Sequence, residues 1–480
     1  MKKLLATLCV ATLVACTTPP RPAAVAVPPP LPAQAVTDTH FGVQVADPYR
    51  HLENVSDPQV QAWMRAQADA ANAALSQLPG RAALLARIQA VEGAAGGVTT
   101  TVIRTDSGRL FFMRRNPGEN QFKLVWRDGP DGTDHVVFDP EAGVAAGAQP
   151  RAVMDFTPSK DGSKLAYAVQ AGGGEIGTLH VIDVATGREL TPPADRIRYA
   201  GASWLEDGSG FFYGRLREGY DKLPPGERFG DRTTHFRSLV DGRDRAVFSA
   251  SRNPELQLPT FAGAAILQIP GTQTAAAIVF AGVDRNLQLL VADLAAARQG
   301  GPVWKRVVSS ADEVTGIDIG HGHFYLKSAR NTPRYRLLRM PVADPLLARA
   351  QELVPQGDGA LGEVGVARDG NVPEFGTIKK EDEFKALLAM SSYHHIKDGV
   401  RYPAVMAVHG INDIRVDVWQ SAKFTSRLQQ ANPSGKPVLL RLEYDSGHGQ
   451  GSSRAQLQQR MADVFAFMLW QFGDQGVGPK

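Results

Sequence analysis

Apolar residues follow three successive rhythms along the chain. Over residues 44–93, in SDPQVQAWMRAQADAANAALSQLPGRAALLARIQAV, Val60, Trp63, Met64, Ala68, Ala71 and Leu75 recur at the spacing of one helical face. Ser56 or Asp57 suits the cap of that helix and Pro58 an early helical position, and Pro79-Gly80 breaks the pattern before a second helix. From residue 97 the texture changes to short β-rich runs such as GRLFFMRR, SKLAYAVQ, GTLHVIDV, GFFYGRL and AAAIVFAGV. Asp-Gly turns punctuate them, as in KDGSKLAYAV and EDGSGFFYGR. The runs recur roughly every 45–55 residues, the length of a four-stranded propeller blade. This predicts about five blades and a fragment over 97–370, with an irregular sandwich as the alternative. Beyond residue 371 the rhythm becomes strand–helix–strand–helix: YPAVMAVHG, DVWQSAKFTSRLQQAN, KPVLLRLEYD and RAQLQQRMADVFAFMLWQF. That is the pattern of an α/β unit with a parallel sheet.

The expected fold is therefore mixed α/β plus all-β. Its units are a helical segment over 39–96, an incomplete propeller over 97–370 and an α/β unit over 371–480. The 480 residues, 43% of them hydrophobic, suffice for two or three domains with a sizeable core. The net charge is +3, and Lys2 and Lys3 supply two of those charges at the extreme N-terminus. No basic stripe or Arg/Lys block points to a nucleic-acid partner.

The opening MKKLLATLCVATLVACTTPPRP has a basic start, a short apolar stretch and a small-residue end, the layout of a signal peptide over 1–15. The apolar stretch is shorter than the ~20 residues of a bilayer span. LVAC, residues 13–16, resembles the bacterial lipoprotein box, which implies cleavage before Cys16, lipidation of its thiol and anchoring outside the cytoplasm. Thr17 in place of aspartate favours the outer membrane. An ordinary signal peptide is the alternative. Cys9 and Cys16 are the only cysteines, so cleavage there leaves no disulfide or cysteine metal site in the globular part. Residues 16–38 are rich in Pro, Ala and Val and read as an extended tether.

Asp413 follows the strand 402–408, and His448 follows the strand 437–444. In α/β-hydrolases catalytic groups sit on loops at the C-terminal ends of parallel strands, in the order Ser, Asp, His. One helix and one strand separate the two residues, so both loops open on the same sheet edge. A carboxylate there can hold one imidazole nitrogen while the other faces a nucleophile. The words around them, GINDIRV and YDSGHG, together with DPYRHLEN at 47–54, resemble the prolyl oligopeptidase family of serine peptidases. The resemblance reaches nearly the whole chain beyond the leader. It implies an α/β-hydrolase domain built from both chain ends, capped by a seven-bladed propeller, that cleaves short peptides after proline without a cofactor. It makes Asp413 the triad aspartate, His448 the triad histidine and Arg415 the arginine that binds a substrate carbonyl.

The family's nucleophile lies on a Gly-x-Ser-x-Gly elbow, and no serine of this chain has glycine at both −2 and +2. Ser203 in GASWL has it at −2 only; Ser446 shares the loop of His448; Ser391 and Ser392 follow a helical run without glycine. LGEVGVARDG (361–370) reads as the start of another blade, yet NVPEFGTIKKEDEF follows it at once and resembles the family's approach to the aspartate strand. The join at Gly370–Asn371 therefore reads as an internal deletion that removes blades, elbow, oxyanion donors and proline pocket. The expectation is an inactive relative of the peptidases. The alternatives are a non-catalytic membrane-anchored propeller that binds peptides, and the product of a deleted peptidase gene.

Five other features receive readings. His321 and His323 lack a nearby carboxylate or cysteine cluster and read as solvent-facing rather than metal-binding. His394 and His395 diverge as neighbours. QAGGGEIG (170–177) reads as a hairpin loop, not a phosphate cradle. Trp419 and Trp470 read as core, and His409 borders the cleft.

Overall fold

A computed structural model describes residues 27–473 apart from 95, 146, 199–200, 225–226, 283, 358–377, 379 and 450. Residues 1–15, read as a signal peptide, Cys16 and the Gly370–Asn371 join lie outside the described residues.

The first long helix spans Pro58–Ser76, and Asp57 caps it by accepting the Gln59 N–H at 2.7 Å. All six residues of the helical spacing are buried. They pack against both the chain's start and its end. The segment read as a tether to residue 38 departs from that reading at Pro28 and Pro29, which dock on this helix. Trp63 Nε1 donates to the Pro29 carbonyl at 2.9 Å and Gln67 Nε2 to that of Pro28 at 2.7 Å. Proline lacks an N–H but keeps its carbonyl, so an extended proline run can dock on a helix as an acceptor. A hairpin of Thr37–His40 and Val43–Ala46 follows.

Five four-stranded antiparallel sheets, over 98–138, 151–197, 203–248, 262–308 and 314–354, form successive propeller blades. The Asp-Gly turns make tight reversals: Gly162 and Gly208 have φ of 72° and 63°, where a side chain would be strained. Apolar side chains from adjacent blades fill the seams. Phe111 and Leu124 of blade 1 meet Phe156 and Leu165 of blade 2. Phe248 of blade 3 packs among Ile266, Val279 and Leu290 of blade 4. Leu289 of blade 4 packs with Phe324 and Met340 of blade 5. Among the described residues no buried cluster joins blade 5 to blade 1.

The C-terminal part is a two-stranded parallel sheet. Val405–Gly410 pairs in register with Val438–Glu443, from Val405 opposite Val438 to Gly410 opposite Glu443. Leu439 and Leu440 are fully buried among Pro58–Ser76, Trp419–Ala431 and Arg454–Phe472. The N-terminal segment is tied to this part by charge. Lys423 donates to Asp47 at 2.6 Å and Glu53 at 2.7 Å, and the Tyr393 hydroxyl donates to Asp47 at 2.9 Å. Burial works to raise the pKa of Asp47, but its bonds to Arg50 and Lys423 overcome this and hold it below the ordinary value. Both chain ends thus build one α/β unit beside the propeller.

That unit leaves apolar surface uncovered. Val405 and Ile411 direct their N–H groups to the partner strand's side, donating to Pro437 and Glu443 carbonyls at 2.9 Å. By strand alternation the N–H and C=O groups of Met406 and Val408 face the other edge, where no strand lies among the described residues. Leu457, Met461, Phe465 and Met468 are exposed along Arg454–Phe472. Trp470 is only partly buried against Phe467, and Trp419 lies partly buried beside Lys423. The core reading of both tryptophans overstates their burial.

Candidate active site

Asp413 follows the Val405–Gly410 strand through a tight turn in which its N–H reaches the Gly410 carbonyl at 3.1 Å. Its Oδ1 accepts the N–H groups of Arg415 and Val416 at 2.9 and 3.0 Å. These bonds fix the carboxylate plane and leave Oδ2 directed at His448, whose Nδ1 lies 2.7 Å away. Since an ionised carboxylate only accepts, Nδ1 is the donor in this bond, and Nε2 is the ring nitrogen turned away from Asp413. The side chain of Asp413 is 8% exposed and that of His448 is 39% exposed. A buried carboxylate thus orients an accessible imidazole, the arrangement of a general base awaiting a proton donor. Among the described residues His448 makes this one side-chain hydrogen bond.

His409 stands closer to this pair than its sequence position suggested. Its Nε2 lies 3.7 Å from Asp413 Oδ2 and 2.9 Å from the Val416 carbonyl, while Nδ1 meets the Ser421 hydroxyl at 2.7 Å. It braces the turn that carries Asp413. Ser446 is fully buried, its hydroxyl 3.0 Å from that of Ser452 and 3.2 Å from Arg460. Its hydroxyl is therefore inaccessible.

Arg415 forms an ion pair with Glu175, which is 2% exposed on the glycine-rich loop of blade 2. Glu175 also pairs with Arg198 at 3.3 Å. The loop read as a plain hairpin in the sequence therefore reaches the end of the parallel sheet that carries Asp413. The available signal was a single acid inside a run of glycines, which spacing alone does not link to a distant arginine. A cavity of 410 Å³ lies at this junction, lined by Gln149, Glu175, Tyr220, Arg228, Asn412 and Asp413 among others. It lies between propeller loops and the turn that carries Asp413.

The other histidines stay apart from the site. His323 Nδ1 contacts the His321 carbonyl at 2.8 Å, His394 Nδ1 the Ser391 hydroxyl at 2.7 Å, and His395 Nε2 the Ala389 carbonyl at 2.8 Å.

Two family models match the chain. One describes the prolyl oligopeptidase N-terminal beta-propeller domain and matches residues 29–227; the other describes the prolyl oligopeptidase family and matches residues 368–475. A prolyl endopeptidase of Elizabethkingia meningoseptica is 23% identical over 315 residues, which are 64% of this chain and 42% of that relative. Dipeptidyl aminopeptidase BI of Pseudoxanthomonas mexicana is 33% identical over 100 residues, 21% of this chain and 14% of the relative. A solved prolyl endopeptidase superposes with a TM-score of 0.79 at 19% identity, covering 92% of this chain and 99% of that one, which shows a shared fold. The chain thus spans less than half the length of the prolyl endopeptidase that it matches. With a propeller followed by a peptidase-family α/β unit, both matched by the family's own models, the chain belongs to the prolyl oligopeptidase family.

Proposed function

We propose that this chain carries the aspartate and histidine of a prolyl oligopeptidase-type serine peptidase without the nucleophile. Asp413 orients His448 and Arg415 is the carbonyl-binding arginine, now held by Glu175. The observation that carries the reading is the 2.7 Å bond between His448 Nδ1 and Asp413 Oδ2. The absence of any Gly-x-Ser-x-Gly elbow from the sequence supports the rest. Loss of the serine typically costs about 10⁶ in kcat, and here the elbow's oxyanion donors are absent with it. The chain by itself does not hydrolyse prolyl peptides. Its cleft retains the family's substrate class, short proline-containing peptides, as binding partners. An internal deletion at Gly370–Asn371 is the origin we favour.

Fluorophosphonate labelling of the purified protein, read by intact mass, tests this. No adduct on a protein shown folded by circular dichroism supports the reading. A stoichiometric adduct on one serine overturns it.

A second reading concerns location. The LVAC sequence supports lipidation at Cys16 and a membrane-anchored, peptide-binding propeller. Incorporation of labelled palmitate that is abolished by Cys16→Ala is the expected result; equal incorporation by the variant refutes it.

A further inference from the structure

We propose that the glycine-rich loop of blade 2 is a positioning device for His448, acting through a stack of three glycine backbones, Gly173, Gly447 and Gly410. The inference rests on the reading of Asp413 and His448 as a pair, and it assigns the propeller a part in setting that pair's geometry.

The three glycines come from three separate segments. Gly173 belongs to blade 2, Gly447 to the loop that carries His448, and Gly410 to the end of the strand that leads to Asp413. None has room for a side chain. A Cβ on Gly173 would lie 2.7 Å from the Gly447 nitrogen, and one on Gly447 would lie 3.0 Å from the Gly173 carbonyl carbon and closer still to its oxygen. A Cβ on Gly410 would lie 2.7 Å from the Ser446 carbonyl carbon. The obstructing atoms are backbone, which cannot swing aside as a flexible side chain can. Any atom added to Gly173 must displace the residue directly before His448.

Asn412, the residue before Asp413, joins the same three segments by hydrogen bonds. Its Nδ2 donates to the Gly172 carbonyl at 2.7 Å and to that of Tyr444 at 3.3 Å, and its N–H donates to the Ser446 carbonyl at 3.0 Å. The far end of the His448 loop is held by the propeller too. Gln121 Nε2 donates to the Gly451 carbonyl at 3.3 Å, and the Asn120 carbonyl accepts the Arg454 N–H at 2.9 Å. Blades 1 and 2 therefore hold both ends of the loop. The loop contributes its imidazole, and the propeller decides where that imidazole stands relative to Asp413. A displacement of about 1 Å takes a 2.7 Å hydrogen bond beyond bonding range.

The test is nuclear magnetic resonance of the full chain with ¹⁵N-labelled histidine. The readout is the far-downfield ring N–H signal of an imidazole bonded to a carboxylate, assigned by its loss in His448→Gln and Asp413→Asn. Gly173→Ala should shift this signal upfield or abolish it while circular dichroism stays that of the parent. Two controls should leave it in place. Gly174→Ala places its Cβ no nearer than 3.4 Å to any atom, and Gly187→Ala shares the positive φ, 69° at both Gly187 and Gly173, but has no atom within 4 Å. Should Gly173→Ala fail to fold, Asn412→Ala removes the link to Gly172 and should move the same signal. An unchanged signal in the folded variants overturns the positioning role alone. A parent protein without the Asp413-dependent signal overturns the pair itself, and the positioning role with it.

Discussion

Glu175 of blade 2 and Arg415, two residues beyond Asp413, form an ion pair that bridges the propeller and the peptidase-family unit. Glu175 is almost wholly buried and bonds Arg198 as well, so its charge is balanced from both sides. Removing one member of a buried charge set leaves the others desolvated and costs about 3–5 kcal/mol. Glu175→Gln should therefore lower stability by roughly 3 kcal/mol in urea unfolding. Arg415→Ala should cost less, because that side chain is 29% exposed. Equal stability of Glu175→Gln and parent would refute the bridge.

Two carboxylates give stability opposite dependences on pH. Burial pushes the pKa of Asp155, on the first strand of blade 2, up to about 6 against a bond from the Phe156 N–H. A carboxyl with a raised folded pKa favours the folded state when protonated, so its contribution declines as pH rises from about 4 through about 6. Asp155→Asn should flatten that decline and be more stable than the parent by about 2 kcal/mol at pH 7. Asp47 has the contrary sign. Its folded pKa is lowered, so its contribution is present above the ordinary carboxylate range and is lost as pH falls through the folded value. Asp47→Asn should lack that part of the acid limb. Thermal unfolding between pH 3 and 8 reads both effects.

Among the described residues no strand pairs with the outer edge of Val405–Gly410, which offers main-chain groups of Met406 and Val408 to another strand. Self-association is the expected consequence. Val408→Pro deletes an N–H that faces outward, so the bonds to Val438–Glu443 are kept and the edge loses a donor. Sedimentation velocity should show the parent associating with concentration and the variant largely monomeric. Association of equal strength in both would place the contact elsewhere.

The cap on the first long helix is a local and smaller effect. Asp57 accepts from the N–H groups of both Gln59 and Val60, and Asp57→Ala should cost about 1 kcal/mol in denaturant unfolding. No loss would mean that water replaces the cap.

Local regularities make much of this protein legible in its sequence. The positions of Val60, Trp63, Met64, Ala68, Ala71 and Leu75 follow the period of a helix, and each is buried because one face of that helix must leave water. Asp161-Gly162 and Asp207-Gly208 mark blade turns, since glycine tolerates the positive φ that such turns need. Asp413 and His448 are recognisable because short words surround them at the ends of two apolar strands, and the fold brings their side chains together.

Contacts between distant segments are decided only by the tertiary structure. Nothing in the spacing of QAGGGEIG tells that Glu175 meets Arg415 or that Gly173 lies against Gly447. The docking of Pro28 and Pro29 on the first helix is equally silent in the sequence, because carbonyl acceptors are common to all residues. Burial of Trp419 and Trp470 depends on how many layers cover them, a property of the assembled sheet and not of helical period. Periodicity reports which face of an element is apolar. What covers that face, and which charge meets which, is settled when segments hundreds of residues apart come together.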